Sequence, residues 1–235
     1  ANTGRRECPS TVVSSTAAIK SYGSTKRWVM ALKVFHDVSR SGAQTDSVFF
    51  NVAIGACGKA GQWQWALRLL GEMGEARVEP NEVSYNSGIT ACERGEQWQL
   101  ALSLLRESER ASLELTVVGY CAGVKALETG KQVQKAMVLF REMCERTLQL
   151  DTISCNAGIS CCNKDGQWQQ AILLLRGMRE SSMQLDSISF STGISACEKG
   201  GQWRQALSLL REMGEAKLRS SVIGYSSGVS ACEKC

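Results

Sequence analysis

Positively charged side chains recur in this chain at intervals of 35 residues, and such a row is suited to attracting the phosphates of a nucleic acid. The residues of the row are Lys59, Arg94, Lys164, Lys199 and Lys234. Thr129 and Ser24 occupy the two other places that the interval defines. A positive charge is also favourable at the C-terminal end of a helix, so the row has two compatible explanations.

The other residues of the sequence show no pattern typical of a catalytic site. The formal net charge of +4 and the pI of about 8.5 are weaker than the strongly basic balance of a dedicated nucleic-acid binder. The only histidine, His36, lies beside Phe35 in a helical segment, where a surface or packing role is expected. The sequence contains no glycine-rich phosphate loop, no Ser/His/Asp set and no His-x-Glu followed by Pro-Cys-x-x-Cys. We therefore expect a protein that is not an enzyme and requires no cofactor.

The eleven cysteines could indicate disulfides or a metal site, but their spacing argues against both. Five of them share one place in the 35-residue interval, namely Cys57, Cys92, Cys162, Cys197 and Cys232. Equivalent points of stacked helices lie roughly 8–10 Å apart, which is too far for a disulfide. Cys232-x-x-Cys235 has no second pair and no histidine nearby, so we expect no metal there. The sequence predicts small buried hydrophobic thiols in a reducing compartment.

The same interval predicts the elements that carry these side chains. Tryptophan occurs five times at this 35-residue interval, and Val133 stands where a sixth tryptophan would be expected. A second position of the interval holds alanine in all six copies: Ala31, Ala66, Ala101, Ala136, Ala171 and Ala206. Within one copy, residues 48–59 and 62–73 both show helical apolar spacing, and Ala60-Gly61 separates them. Each copy is therefore predicted to be an antiparallel helical hairpin, and the copies to stack as a solenoid. No apolar run is long enough to span a membrane.

One recurrent glycine lies inside the first helix of five copies, at Gly88, Gly123, Gly158, Gly193 and Gly228. Glycine in a helix costs about 1 kcal/mol relative to alanine. We expect close backbone approach between adjacent first helices at this place. Inheritance from a duplicated ancestral repeat would also explain the recurrence. The alanine place should let the two helices of a hairpin approach, and the Leu-Leu pair should fill the interface with the next hairpin.

The pattern Val-x-x-Tyr-Asn-x-x-Ile, then Lys-x-Gly, then Ala-Leu-x-Leu-x-x-x-Met, closely resembles the pentatricopeptide repeat in its P-type, 35-residue form. The Gln-Trp after the turn departs from the usual pattern of that family. The resemblance implies an all-α fold, a right-handed superhelical solenoid of helix-turn-helix repeats. The predicted division of the chain is a lead-in at 1–11, six repeats at 12–46, 47–81, 82–116, 117–151, 152–186 and 187–221, and a partial seventh at 222–235. We expect this to be a piece of a longer protein.

The resemblance further implies that each repeat reads one base of single-stranded RNA with its fifth and last residues. Three pairs resemble known readers, namely Thr16 with Asp46 for guanine, Asn51 with Asn81 for a pyrimidine (cytosine preferred) and Asn156 with Asp186 for uracil. Three pairs are left without an assigned base, namely Asn86 with Thr116, Cys121 with Asp151 and Ser191 with Ser221. Cys121 is a poor base reader. The implied site is G-Y-N-N-U-N, read 5′ to 3′ from the N-terminus to the C-terminus.

The second residue of each repeat clamps the base in this family. The corresponding residues are all β-branched aliphatics: Val13, Val48, Val83, Val118, Ile153, Ile188 and Ile223. A solvent-facing place without a constraint would vary toward Lys, Glu or Gln. The alternative is a packing role at the start of the helix.

Two functions follow from the resemblance. The first is binding of single-stranded RNA in organellar RNA processing, stability or translation, in a chloroplast rather than a mitochondrion. The second is a helical scaffold that binds proteins in an organellar assembly such as a ribosome or a photosynthetic complex. Neither involves DNA or insertion into a membrane.

Overall fold

The computed structural model describes residues 9–146, 151–164, 166–216, 218 and 222–233. Within these ranges the chain forms thirteen helices and no strand. The helices are α1 (Pro9–Ser24), α2 (Trp28–Arg40), α3 (Ser47–Lys59), α4 (Trp63–Glu75), α5 (Glu82–Arg94), α6 (Trp98–Arg110), α7 (Val117–Thr129), α8 (Val133–Glu145), α9 (Thr152–Lys164), α10 (Trp168–Glu180), α11 (Ser187–Lys199), α12 (Trp203–Glu215) and α13 (Val222–Glu233). The prediction of an all-α repeat solenoid is confirmed.

The helices group into two compact units, residues 1–130 and 131–235. In the first unit the odd-numbered helices α1, α3, α5 and α7 pack in sequence, each against the next, and the even-numbered helices complete the hairpins. In the second unit α9, α11 and α13 pack in the same way. Each unit is therefore a stack of helical hairpins in which the first helices form one continuous layer.

The first helices begin at polar caps and end at tight turns. The side chains of Asp46, Asn81 and Asp186 accept hydrogen bonds from backbone amides in the first turn of α3, α5 and α11. At the other end of α5, Glu96 adopts a left-handed conformation with φ of 57°, and the Gln97 amide donates to the Cys92 carbonyl at 2.9 Å. This arrangement satisfies carbonyl groups that a helix end leaves without partners.

The buried core consists largely of the residues at the recurrent apolar places. All six alanines of the invariant place are buried, as are most members of the Leu-Leu pair that follows it. Four of the recurrent cysteines, Cys57, Cys92, Cys162 and Cys197, are buried, as predicted. Cys232 is exposed, because no described helix follows α13, and Cys235 lies outside the described residues. Burial raises the pKa of the Cys57, Cys92 and Cys197 thiols to about 11.

The recurrent helix glycine has a different neighbour from the one predicted. A Cβ built on Gly88 would lie 3.2 Å from Cδ1 of Leu104, and one on Gly193 would lie 2.5 Å from Cδ1 of Leu175. These atoms are side chains of second helices, so the prediction of close backbone approach between first helices at this place is wrong. The glycine makes room for the leucine pair instead. First helices approach closely at Gly23, where a built Cβ would lie 3.0 Å from Cα of Ala56.

The glycine before the left-handed residue of the hairpin turn accommodates the recurrent tryptophan. A Cβ built on Gly95, Gly130 or Gly200 would lie 2.6–2.8 Å from Cγ of Trp63, Trp98 or Trp168, respectively. These glycines have negative φ, so space and not backbone conformation requires them. The ring centroid of Trp28 lies 6.5 Å from that of Trp65. The indole of one hairpin thus packs on the turn of the next.

The described ranges contain neither a membrane-spanning helix nor a cluster of metal-ligating side chains. In that part of the chain every helix is too short or too polar to cross a lipid bilayer. In those same residues no three His, Cys, Asp or Glu side chains are gathered so that they could hold a metal ion.

Candidate nucleic-acid interface

The aliphatic residues at the second place of the repeats are exposed to solvent. Their exposed fractions run from 54% to 70% over Val13, Val48, Val83, Val118, Ile153 and Ile188. The side chain of Ile223 lies outside the described residues. A side chain that packed in the core at the start of a helix would be buried, so the exposure argues against the packing explanation. Exposed β-branched aliphatics in register are apolar surface that a ligand could cover.

The fifth and last residues of three repeats are hydrogen-bonded to each other. The Asn51 amide donates to Oδ1 of Asn81 at 3.2 Å, and the Asn156 amide donates to Oδ1 of Asp186 at 3.2 Å. In the repeat between 82 and 116, Nδ2 of Asn86 donates to Oγ1 of Thr116 at 3.0 Å. The structure therefore brings together these three predicted pairs, although their members are 30 residues apart.

The last residue of a repeat is also the N-cap of the next first helix, a role that the sequence reasoning missed. Oδ1 of Asp46, Asn81, Asp151 and Asp186 accepts from the backbone amide three residues later, at 2.8–3.1 Å. The signal was present, because Ser84, Ser154 and Ser189 follow three of these caps at the spacing of a capping box. Helix capping and base reading would therefore use the same atoms.

Hydrogen bonds within the protein set the pKa of the Asp186 carboxyl group. Burial raises the pKa of its carboxyl group, but hydrogen bonds outweigh burial and hold the pKa below its usual value of 3.8. The donors are the Ser189 amide and hydroxyl, the Asn156 side chain and the Ile188 backbone. Donors of the protein itself thus stabilise the charged form of this carboxylate.

The other predicted readers are arranged differently. The hydroxyl of Thr16 donates to the Val12 carbonyl at 2.7 Å. Cys121 and Ser191, at the fifth place of their repeats, are buried, which leaves them poorly placed to reach a base. Ser221 lies outside the described residues. The base-reading roles of all these residues stay predictions.

The cations of the 35-residue row terminate the first helices. Lys59, Arg94, Lys164 and Lys199 are the last residues of α3, α5, α9 and α11, and Thr129 takes that place in α7. Lys234 lies outside the described residues. This position fits both explanations of the row, a favourable charge at a helix end and a cation directed at phosphate.

One groove of the first unit gathers all three kinds of predicted residue. It is a cavity of about 420 Å³ that opens along α3, α5 and α7. Its lining includes two second-place valines, a fifth-and-last pair and two cations of the row: Val83, Val118, Asn86, Thr116, Lys59 and Arg94. We call it the Val83–Val118 groove. Its lining also includes Glu82, which no sequence pattern singles out, because the residues at the first place of the repeats vary.

The chain matches the models of one repeat family. The model of the PPR repeat family matches residues 45–94, and the model of the PPR repeat matches 13–42, 153–183 and 188–218, which together cover more than half of the chain. No curated protein matches the chain by sequence.

Several solved structures share the fold. The crystal structure of the pentatricopeptide repeat protein PPR10 from maize is similar, with a TM-score of 0.68, 23% identity and coverage of 93% of this chain and 31% of that one. PPR10 in complex with an 18-nt psaJ RNA element is similar, with a TM-score of 0.60, 19% identity and coverage of 97% and 36%. The PPR domain of Arabidopsis thaliana protein-only RNase P 1 in complex with tRNA is similar, with a TM-score of 0.64, 14% identity and coverage of 74% and 91%. The chain spans about a third of the length of the maize protein.

Proposed function

Because the chain belongs to the pentatricopeptide repeat family, we propose that it binds single-stranded RNA along the layer formed by its first helices. The observation that carries the proposal is the Val83–Val118 groove, where two exposed valines, a hydrogen-bonded polar pair and two cations line one cavity. Two of the structures with the same fold hold RNA. The proposed activity is binding and not catalysis.

The residues of the groove would make three kinds of contact with RNA. Val83 and Val118 come from consecutive repeats, so a base that enters between them covers apolar surface on both of its faces. Asn86 donates to Thr116 and so positions the Thr116 hydroxyl, which offers a directional hydrogen-bonding group to the base edge. Lys59 and Arg94 attract the phosphates on either side. The same arrangement, repeated along the first helices, would hold successive nucleotides.

A binding assay with short RNAs tests the proposal. One oligonucleotide carries G-C-C-C-U-C, which satisfies the G-Y-N-N-U-N site, and the other carries the same nucleotides in shuffled order. We expect retention of the first on a filter at a protein concentration that does not retain the second. Absence of binding to both would overturn the proposal, and equal binding to both would remove sequence-specific reading from it.

A second candidate, a protein-binding scaffold, is favoured by apolar side chains on second helices. Val138 of α8 and Leu173 of α10 occupy equivalent places and are 60% and 64% exposed. Large exposed apolar side chains in register are typical of surfaces that bind proteins. Native purification with and without ribonuclease separates the candidates, because protein partners that persist after ribonuclease treatment support the scaffold and partners lost with the RNA do not.

The proposed setting is an organelle, a chloroplast rather than a mitochondrion, with a role in RNA processing, stability or translation. The support is the family resemblance alone. Expression of the full reading frame with a fluorescent tag tests the setting, and signal outside organelles would overturn it.

A further inference from the structure

The Val83–Val118 groove contains a carboxylate that the repeat pattern does not predict. Glu82 is the one acidic residue among the described residues that line this cavity. The first place of the other repeats holds uncharged residues, such as Ser47, Val117, Thr152 and Ser187. This repeat therefore places a negative charge where its neighbours have none.

Glu82 fixes the orientation of the Asn86 side chain. Nδ2 of Asn86 donates to Oε1 of Glu82 at 3.3 Å and to Oγ1 of Thr116 at 3.0 Å. A carboxylate can only accept, so the nitrogen of the amide must face Glu82. Oδ1 then lies on the side of Gly119, where it is buried and has no hydrogen-bond partner. Both amide hydrogens are in use, so Asn86 has no donor left for a ligand.

Apart from the cations Lys59 and Arg94, the polar groups around Asn86 leave mainly hydrogen-bond acceptors for a ligand. An ionised carboxylate accepts at about four sites, and Asn86 occupies one of those of Glu82. Thr116 accepts from Asn86 and caps no backbone amide, so its own hydroxyl hydrogen can turn toward a ligand. At the Asn156 site the carboxylate is already engaged, because Oδ1 of Asp186 accepts from the amide and the hydroxyl of Ser189.

We propose that Glu82 makes this groove select an RNA base that carries an exocyclic amino group and reject uracil. The inference rests on the proposed binding of single-stranded RNA. Cytosine, adenine and guanine each offer an amino group that a carboxylate can accept from, whereas uracil offers one ring N–H between two carbonyl oxygens. Those oxygens would face the negative charge of Glu82. Hydrogen bonds to a charged group are stronger than neutral ones, so one such contact can set the preference.

The alternative role of Glu82 is purely structural. It is the first residue of α5, where a negative charge stabilises the helix. That role affects thermal stability but has no reason to distinguish one base from another, so base preference separates the two roles.

The test uses the whole chain and four RNAs, G-C-X-C-U-C with X as each base in turn, against the wild type, E82S and E82Q. E82S installs the residue that occupies the same place at Ser47 and Ser187. E79Q removes the same charge from an exposed loop residue outside the groove and serves as the matched control. We expect the wild type and E79Q to bind the amino-bearing RNAs about tenfold more tightly than the uracil RNA. In E82Q the uracil RNA should bind more tightly than to the wild type, since a glutamine amide can donate to O4.

The outcomes are distinct. A uracil preference in the wild type, or a preference that E82S and E82Q leave unchanged, would overturn the role of Glu82 while RNA binding stands. Failure of every RNA to bind would overturn the proposed function and this inference together. A gain in E82Q that is confined to the uracil RNA supports the role, because misfolding or the loss of one negative charge would affect all four RNAs alike.

Discussion

The side-chain amide of Asn156 donates a hydrogen bond to Oδ1 of Asp186 at 3.2 Å, across 30 residues of sequence. The same Oδ1 accepts from the amide of Ser189 at 2.8 Å and so caps helix α11. The fifth place of one repeat is therefore tied to the start of the next first helix. Changes at either residue should alter both the stability of the stack and the proposed base contact.

Replacement of Asp186 separates capping from charge. D186A removes the cap and leaves the Asn156 amide without its acceptor, so we expect the free energy of unfolding to fall by about 1 kcal/mol. D186N keeps an acceptor for the Ser189 amide and should cost less, because Asn and Asp are comparable N-caps. Urea denaturation of both variants measures this, and equal losses in the two would contradict it.

The depressed pKa of Asp186 gives the same pair a pH dependence. A carboxyl group whose folded-state pKa is lowered contributes stability above its usual pKa of 3.8, and this contribution is lost as the pH falls through the folded-state value. The difference in stability between the wild type and D186N should therefore shrink as the pH is lowered below 3.8. Denaturation at a series of pH values checks this, and a difference that stays constant across that range would argue against the hydrogen bonds as its source.

The exposed valines should affect binding and not folding. V83A removes two methyl groups from apolar surface that a base would cover, so we expect affinity for the G-C-C-C-U-C RNA to fall by about 1–2 kcal/mol, roughly five- to thirtyfold. V29A changes a valine that is similarly exposed on α2 and lies outside the groove. Filter binding and thermal melting of both variants test this. An equal loss of affinity in V29A, or a large drop in the melting temperature of V83A, would show that the valine does not act at the interface.

The helix-terminal cations should control the salt dependence of binding. If Arg94 meets a phosphate, R94Q should reduce the slope of log affinity against log salt by about 0.7, the value for one contact with a single strand. K33Q removes an exposed charge from α2 and should leave the slope unchanged. Titrations at several salt concentrations measure the slopes. Unaltered slope with a lower melting temperature in R94Q would favour the helix-end explanation.

The turn glycines should tolerate no methyl group. G95A places a Cβ 2.7 Å from Cγ of Trp63, and such overpacking typically costs about 1–3 kcal/mol. The matched control is G71A in α4, where nothing lies within 4 Å, so it should stabilise the helix by about 0.5–1 kcal/mol. Denaturation of both variants decides this, and the double variant W63A/G95A should lose less than the sum of the single losses. If G71A destabilised the protein by the same amount, the loss of stability in G95A would come from the helix backbone and not from the contact with the indole ring.

Much of the candidate site could be predicted from the sequence, because its residues recur at one spacing. The second-place aliphatics, the Asn pairs and the cations all stand out as restricted choices at fixed places. Glu82 could not be identified in this way, because the residue type at the first place varies from repeat to repeat. Its proposed role depends on the residues that line the groove with it, and these are known only from the structure. The N-cap role of Asp186 could have been predicted from the sequence, because Ser189 follows it at the spacing of a capping box.

The helical hairpins, their turns and the register in which they repeat could be predicted from the amino-acid sequence, because helical periodicity and turn residues act over a few neighbouring residues. The contacts of each recurrent residue could not, and they became known from the packing of the hairpins. Gly88 gives space to leucines and not to a neighbouring backbone, Gly95 gives space to an indole, and Val83 faces solvent and not the core. The reason is physical: a period specifies which residues are equivalent, whereas contact and exposure depend on the side chains that adjacent hairpins bring to the same place.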